Sequence, residues 1–390
     1  MKFVVVAVGG RVARWIGMLA GLAVSSWAAP GDYPPGPQIA RDGTTVWLVD
    51  YVRVPPSRRG GSISNFAPPP DYSNQLARVN FLRSEPVDAP LAAARFFVND
   101  LNRNLYILRR ADRTWVTYLN FQSIFPRFDN DPGYAGGLVT FAFDPAYASN
   151  GVFYTVHTED PASAAPALPT NLHLPALDLT GYAVTPSEDP PAGTVRRQAV
   201  LVEWRDVNIT NETFEGTARE VLRIGFNGNS HPLGDLIFNP RARPGDPDYR
   251  NLYLACGDGA SGEVADARHT IPQRLDALQG KILRLTPDVT QRPDDPLGPN
   301  GRYRIPATGS DPNPFIDVAL PGLRKEIFAL GLRNPHRLSW DAESGALWVN
   351  DIGLHSWEEV NLVRKGANYG YAEREGTEEL FIGGTNSGLT

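Results

Sequence analysis

The sequence predicts an all-β chain, a β-propeller, on three observations. One strand–turn–strand unit recurs four times along the 390 residues. Its strands are short, with apolar residues at period two between polar turns. The 37 Gly and 35 Pro are spread along the chain, as many tight turns require. Recurrence of a unit of about blade size marks radial repetition, whereas a sandwich does not require the same unit four times.

Taken in order, residues 1–28 read as a secretory signal peptide. Lys2, Arg11 and Arg14 make a positive front, residues 15–24 (WIGMLAGLAV) form an apolar run too short to span a bilayer, and Ser26 and Ala28 are small residues before a cut. A membrane anchor is the competing reading of this stretch. No Cys follows the run to carry a lipid, and no later segment is apolar enough to span. The expected location is periplasmic or secreted, with no stable membrane insertion. Residues 29–90 read as an irregular lead-in with first strands, one of them at 45–52. The propeller domain is expected over 91–390.

The four units then follow. RFFVND (95–100), LYILRR (105–110) and WVTYLNF (115–121) make the first. LVTFAFDP (138–145), VFYTVHT (152–158) and AVLVEWR (199–205) make the second. GDLIFNP (234–240), LYLACGD (252–258) and KILRLTP (281–287) make the third. HRLSWDA (336–342), LWVNDIG (347–353) and EVNLVRK (359–365) make the fourth. Asp144, Asn239 and Asp341 stand at equivalent turns about 100 residues apart, whereas a bare blade needs about 40–50. The excess falls in Pro/Asp/Gly-rich insertions at 159–198, 206–219, 259–276 and 288–320, the kind of loop that builds a binding face. After residue 365 no further strand–turn–strand unit is read. About four blades are therefore expected, with the C-terminal blades missing from this chain.

Composition narrows the function. A net charge of -6 argues against a nucleic-acid partner, which needs a basic face. The single cysteine, Cys256, sits in the apolar run LYLAC and reads as a buried, inert thiol. No HxxxH or paired CxxC pattern supports a zinc site, and there is no GxSxG or P-loop.

Three stretches carry candidate chemistry. In ALGLRNPHRLSWD, Pro335 holds Asn334 extended and Arg333 offers a planar fork for a carboxylate or phosphate, or for a structural acid. His231, in NGNSHPLGDLIF, is the best placed of the six histidines, because it faces the inserted loops. His157 lies inside a strand, and the other four have no recurring context. DIGLHSWEEV (351–360) mixes a Gly turn with three acids, as a hard cation requires, although it lacks regular acid spacing and a solvated loop is the simpler reading.

The stretch GLRNPHRLSWDAESGALWVNDIGLHSWEEVNLVRKGANYGYAEREG (331–376) resembles the glucose/sorbosone dehydrogenases, a family that includes soluble quinoprotein glucose dehydrogenase and propeller domains related to hedgehog-interacting protein. LRNP, DIG, EEVNLV and KGANYGY occur in the family's order, and GGLVTFAFDPAYASNGVFYTVHTE (136–159) and HPLGDLIF…LYLACGDG…QGKILRL (231–285) extend the likeness. The resemblance implies a six-bladed ring and an exported oxidoreductase that oxidises a sugar or sugar aldehyde with pyrroloquinoline quinone (PQQ) and Ca2+, passing electrons to an external acceptor. It implies His231 as general base, Arg333 and Asn334 beside the quinone, Gly353 and Leu354 as carbonyl ligands of its calcium, and Glu359 and Tyr369 near a second, structural calcium.

The chain also departs from the pattern. Ser230 stands where the family often has Asp, so the carboxylate expected to support the imidazole is missing, and Pro232-Leu233 follow. Tyr134-Ala135 precede the Gly136-Gly137 turn in place of a Gln, Ile352 replaces a polar residue, and Leu354 replaces Pro. The basic residues that hold the quinone's carboxylates in the best-known members would fall beyond residue 390. The alternative reading is a non-catalytic calcium-binding propeller acting as a carbohydrate- or protein-binding module.

Overall fold

The computed structural model describes residues 2–8, 39–41, 44–57, 77–130, 136–381, 383 and 385–386. The apolar run at 15–24, Ser26, Ala28 and the pair Tyr134-Ala135 lie outside the described residues. The chain divides into two units, Met1–Pro56 and Ser57–Thr390. In the first, β1 (Lys2–Val8), β2 (Ile39–Arg41) and β3 (Thr44–Arg53) form an antiparallel sheet in the order β1-β3-β2.

The second unit carries four blade-like sheets. β4 (Val79–Arg83), β5 (Arg95–Asp100), β6 (Asn104–Arg109) and β7 (Trp115–Asn120) pair in sequence as the first. The second contains β8 (Leu138–Phe143), β9 (Val152–Glu159), β10 (Leu177–Asp178), β11 (Ser187–Glu188), β12 (Arg197–Asp206) and β13 (Gly216–Phe226). Its main path is β8-β9-β12-β13, and β10 and β11 lie parallel on β13. β14 (Leu233–Phe238), β15 (Leu252–Cys256), β16 (Lys281–Leu285) and β17 (Ile327–Leu330) form the third. β18 (Pro335–Trp340), β19 (Leu347–Asp351) and β20 (Glu359–Val363) form the fourth. β5–β6, β6–β7 and β18–β19 pair antiparallel across short connections, whereas β15–β16 and β16–β17 pair antiparallel across long insertions. Gly151, before β9, needs φ +63 and leaves no room for a side chain, since a Cβ would stand 1.9 Å from the Asp206 carbonyl oxygen.

The expected strands are present, with three differences. RFFVND is the second strand of its sheet rather than the first, since β4 precedes it. β13 begins at Gly216, inside a segment expected to be an insertion, and pairs along the whole of β12. The tail expected to hold no further unit folds into a small antiparallel sheet of β21 (Arg374–Glu375), β22 (Glu378–Phe381) and β23 (Thr385–Asn386), whose strands are too short for any periodicity to show.

The core lies between successive sheets. Phe97, Leu105 and Tyr118 of the first blade pack on Phe141, Phe153 and Trp204 of the second. Val139, Leu201 and Ile224 of the second pack on Leu236, Leu254 and Leu283 of the third. Tyr253 and Ile282 of the third pack on Leu338 and Val349 of the fourth. Being covered on both faces, β15 and β16 are buried at every position, which overrides alternation.

The innermost strands meet around a polar axis. Asn80 of β4 donates to the Val139 carbonyl of β8 at 2.6 Å, and Thr140 of β8 to Asp235 of β14 at 3.1 Å. The Leu338 N–H of β18 donates to Asp235 at 3.0 Å, and Arg337 of β18 to Asn80 at 2.6 Å. Arg83 adds an ion pair to Asp235 at 2.5 Å. The four sheets are thus arranged radially, in a propeller-like manner. Among the described residues, no helix is long and apolar enough to cross a membrane.

Candidate active site

The open end of the β14–β15 hairpin holds His231. Leu233 pairs with Cys256, so residues just before β14 and just after β15 face each other. The backbone closes the junction. The Gly257 N–H donates to the Pro232 carbonyl and the Gly259 N–H to the His231 carbonyl, both at 3.1 Å. His231 itself has φ +50. Gly257 admits this approach, since a Cβ there would stand 2.3 Å from the His231 carbonyl oxygen.

The carboxylate expected to be missing is supplied from across the hairpin. His231 Nδ1 lies 2.7 Å from Asp258 Oδ1. Asp258 is buried, and it also accepts from the N–H groups of Ala260 and Gly262, each at 2.8 Å. An acceptor fixed in this way holds the proton on Nδ1 and leaves the Nε2 lone pair available. His336 packs nearby, and burial, with Arg337 and His231 adding to it, pushes its imidazole down to about 4.

The segment 331–334 is tied to the same region. The Asp258 N–H donates to the Arg333 carbonyl at 2.8 Å, the Leu332 N–H to Gly280 at 3.2 Å and the Gly331 N–H to Pro272 at 3.1 Å. From the fourth blade, Asp351 accepts the N–H of Arg333 at 2.9 Å and of Asn334 at 2.6 Å. Complete burial pushes the Asp351 carboxyl up to about 7. Arg333 bonds Glu263 and also donates to the carbonyls of Ile352 at 3.0 Å and Gly353 at 2.8 Å. The structural acid and the loop carbonyls thus share its fork. Glu263 also lies 4.0 Å from His231 Nδ1.

His231, Arg333, Asn334 and Gly353 therefore converge. Leu354 lies in the adjoining turn, where Glu375 accepts four consecutive N–H groups, from Leu354 and His355 at 2.6 Å, Ser356 at 3.0 Å and Trp357 at 3.3 Å. Glu359 and Tyr369 are not joined. Glu359 accepts from Gly376 and Asn361, whereas the Tyr369 hydroxyl donates to the Leu362 carbonyl at 2.7 Å. Of the three acids of 351–360, Asp351 and Glu359 face each other across β19 and β20, and each of the three accepts from separate donors.

Sequence reasoning missed Asp258, Glu263 and Tyr371. Each is distant from His231 in sequence, and only the hairpin register signals Asp258. Tyr371 is buried against Gly262, and burial raises its hydroxyl well above the ordinary value. Ser261 Oγ is buried without a hydrogen-bond partner among the described residues, and the Tyr371 hydroxyl and Arg333 Nε make no well-formed hydrogen bond there, although the two residues lie against each other. Two hydroxyls beside the Nε of a guanidinium suit the oxygens of an anionic cofactor such as a quinone bearing carboxylates. Calcium at Gly353 and Leu354 does not fit, because the Gly353 carbonyl already accepts from the Arg333 cation. Among the described residues no three His, Cys, Asp or Glu side chains are grouped to hold a metal. Cys256 is fully buried beneath the site, and burial pushes its thiol up, as an inert role requires.

The propeller-like array, with His231 and Asp258 paired beside Arg333 and Asn334, can be set beside known proteins. Residues 299–380 match the family model described as Glucose / Sorbosone dehydrogenase. The chain is 36% identical over 158 residues to aldose sugar dehydrogenase YliI of Escherichia coli (strain K12), covering 40% of this chain and 33% of that protein. It is 33% identical over 251 residues to the HIPL2 protein of Arabidopsis thaliana, covering 62% of this chain and 33% of that protein. Quinoprotein glucose dehydrogenase B of Acinetobacter calcoaceticus is 24% identical over 267 residues, covering 65% and 43%. The chain spans about a third of the length of the first of these curated relatives. Among solved structures, the soluble aldose sugar dehydrogenase of Escherichia coli in its apo form superimposes with a TM-score of 0.50 at 20% identity, covering 76% of this chain and 64% of that one, a likeness of fold.

Proposed function

We propose that this chain is part of an exported quinoprotein-type oxidoreductase that oxidises a sugar or sugar aldehyde and passes the electrons to an external acceptor. The observation that carries this reading is the His231–Asp258 pair at 2.7 Å, set beside Arg333 and Asn334. The names of the similar sugar dehydrogenases support it, and so do the two hydroxyls beside Arg333, which suit PQQ. When bound, the quinone would supply the two-electron acceptor for hydride.

The chain's own residues provide the rest. His231 Nε2 takes the proton of the substrate hydroxyl, and Asp258 stabilises the imidazolium that results. Arg333 and Asn334, held through their backbones by Asp351, present a cation and a donor where negative charge develops on the acceptor. Tyr371 and Ser261 would help to hold the acceptor through their hydroxyls. Calcium has no step in this scheme. Calcium at Gly353 and Leu354 would require Arg333 to release the Gly353 carbonyl, and a second ion at Glu359 and Tyr369 would require those two to be brought together.

Titration with PQQ, followed by dye reduction with a panel of aldoses and aldehydes, tests the reading. The expected result is quinone binding, with turnover lowered by about 10²–10⁴-fold in His231→Ala while the quinone is retained. Bound quinone with no dye reduction by any substrate contradicts it. A second reading, a binding propeller without cofactor, is favoured by one observation: the Arg333 fork is already taken up by Glu263 and two carbonyls. Failure of the protein to bind quinone at all selects that reading.

A further inference from the structure

The proposed oxidation leaves unused a pocket at the opposite end of the sheets. It has a volume of about 430 Å³ and is lined by Glu203, Arg205, Arg219, Arg250, Asp288 and Arg302, among others. Its position follows from β12. Arg197, which opens that strand, bonds the Asn229 carbonyl on the His231 side. Arg205 stands eight residues further along the strand, about 26 Å away at strand rise. Val152, its register partner, opens β9 at the same far end.

Four guanidinium groups and two carboxylates line the pocket, and the carboxylates are already spent. Glu203 is gripped by the fork of Arg219, through Nε and Nη2, both at 2.7 Å. Arg219 also donates to the carbonyls of Arg302 at 2.9 Å and Pro287 at 2.7 Å. Asp288 accepts from Arg250 Nη1 at 2.9 Å, and the other arm of Arg250 holds the buried Asp144 at 2.9 Å. These pairs fix the walls. The side chains of Arg205 and Arg302 have no hydrogen-bond or ion-pair partner among the described residues, and neither is buried.

We propose that this pocket is an anion site for a phosphate or sulfate ester, gripped between Arg205 and Arg302. Two unpaired planar forks match the oxygens of a tetrahedral oxyanion bidentately, which ammonium groups would not do. A concave wall with an excess of positive charge focuses its field on the pocket. The volume lies within the range of about 300–1,000 Å³ typical of small-molecule sites, so the ester can carry an organic group. Nothing in this assignment depends on the dehydrogenase reading.

Calorimetric titration at constant ionic strength tests it, with inorganic phosphate, sulfate, citrate and chloride as probes. Saturable binding of phosphate or sulfate is expected, with a dissociation constant of about 1 mM or tighter. The double variant Arg205→Ala/Arg302→Ala should bind at least about tenfold more weakly with an unchanged circular dichroism spectrum, since neither side chain supports the fold. Phosphate and sulfate arms separate the two esters. No saturable binding, equal binding by the double variant, an equal response to chloride, or saturation by citrate alone would each overturn the assignment.

Discussion

The third and fourth blades are built from the same repeat, yet they are packed differently. In the third, every residue of β15 and β16 is buried. In the fourth, Trp348 of β19 is 38% exposed and Val360 of β20 is 65% exposed. The repeat sets the path of the backbone, whereas neighbouring sheets decide what is buried. The third blade is packed between the second and the fourth, so alternation disappears from its strands. The fourth retains the alternation of a half-covered sheet, with Leu347, Val349 and Asp351 of β19 buried and Trp348 and Asn350 exposed. The candidate active site straddles this junction. His231 and Asp258 come from the well-packed blade, and Asn334 and Asp351 from the less covered one.

Substitutions should expose the asymmetry. The largest effect is expected from Leu254→Ala in β15, whose side chain is completely buried. Urea unfolding should show a loss of about 2–5 kcal/mol. Next comes Glu375→Gln, which weakens the acceptor of four N–H groups in the turn beside Gly353. A loss of about 1–3 kcal/mol is expected, with faster amide exchange at 354–357 and no change in β15 or β16. Equal acceleration in both blades would show that the two halves of the site do not open separately.

The next contrast is a pH effect that belongs to the third blade. Lys281 is completely buried, and its ammonium donates to the carbonyls of Ile271 at 3.0 Å, Pro272 at 2.8 Å and Gln279 at 2.7 Å. Burial lowers it from 10.5 to about 7. The folded state then binds fewer protons than the unfolded state between those values, so this contribution is present above 10.5 and is lost as pH falls to about 7. Unfolding free energies from urea titration should therefore rise from pH 7 toward 10, by about 1.4 kcal/mol per pH unit at most, and Lys281→Met should flatten the rise. An unchanged slope in Lys281→Met would assign the rise to another group. The smallest effect is expected from Val360→Ala, within about 0.5 kcal/mol, because most of that side chain already meets water.

How much of this was legible in the sequence follows from how far each signal reaches. Strands such as RFFVND, LYLAC and KILRL declare themselves by local composition, and all are present. β13 escaped notice because its polar positions, Arg219, Glu220 and Arg223, are held by ion pairs rather than left facing water. His231 was legible, but its carboxylate was sought next to it in sequence. Asp258 comes from the far strand of the hairpin, and only the pairing of Leu233 with Cys256 brings the two together. The fourth blade repeats the device, for Pro335 pairs with Asp351, whose carboxylate accepts the N–H groups of Arg333 and Asn334. In both blades an acid at the open end of the first hairpin supports the residue that precedes the inner strand. No local pattern reveals that the Arg333 fork reaches the Gly353 carbonyl, where the resemblance implies a calcium ligand.

The account rests on Asp258 holding His231 in one tautomer, and nitrogen-15 NMR of the imidazole tests this most directly. At neutral pH the neutral ring should carry its proton on Nδ1, with Nε2 unprotonated, and Asp258→Asn should erase that preference. A ring protonated on Nε2, or one indifferent to Asp258→Asn, would contradict the assignment of His231 as the base of this site.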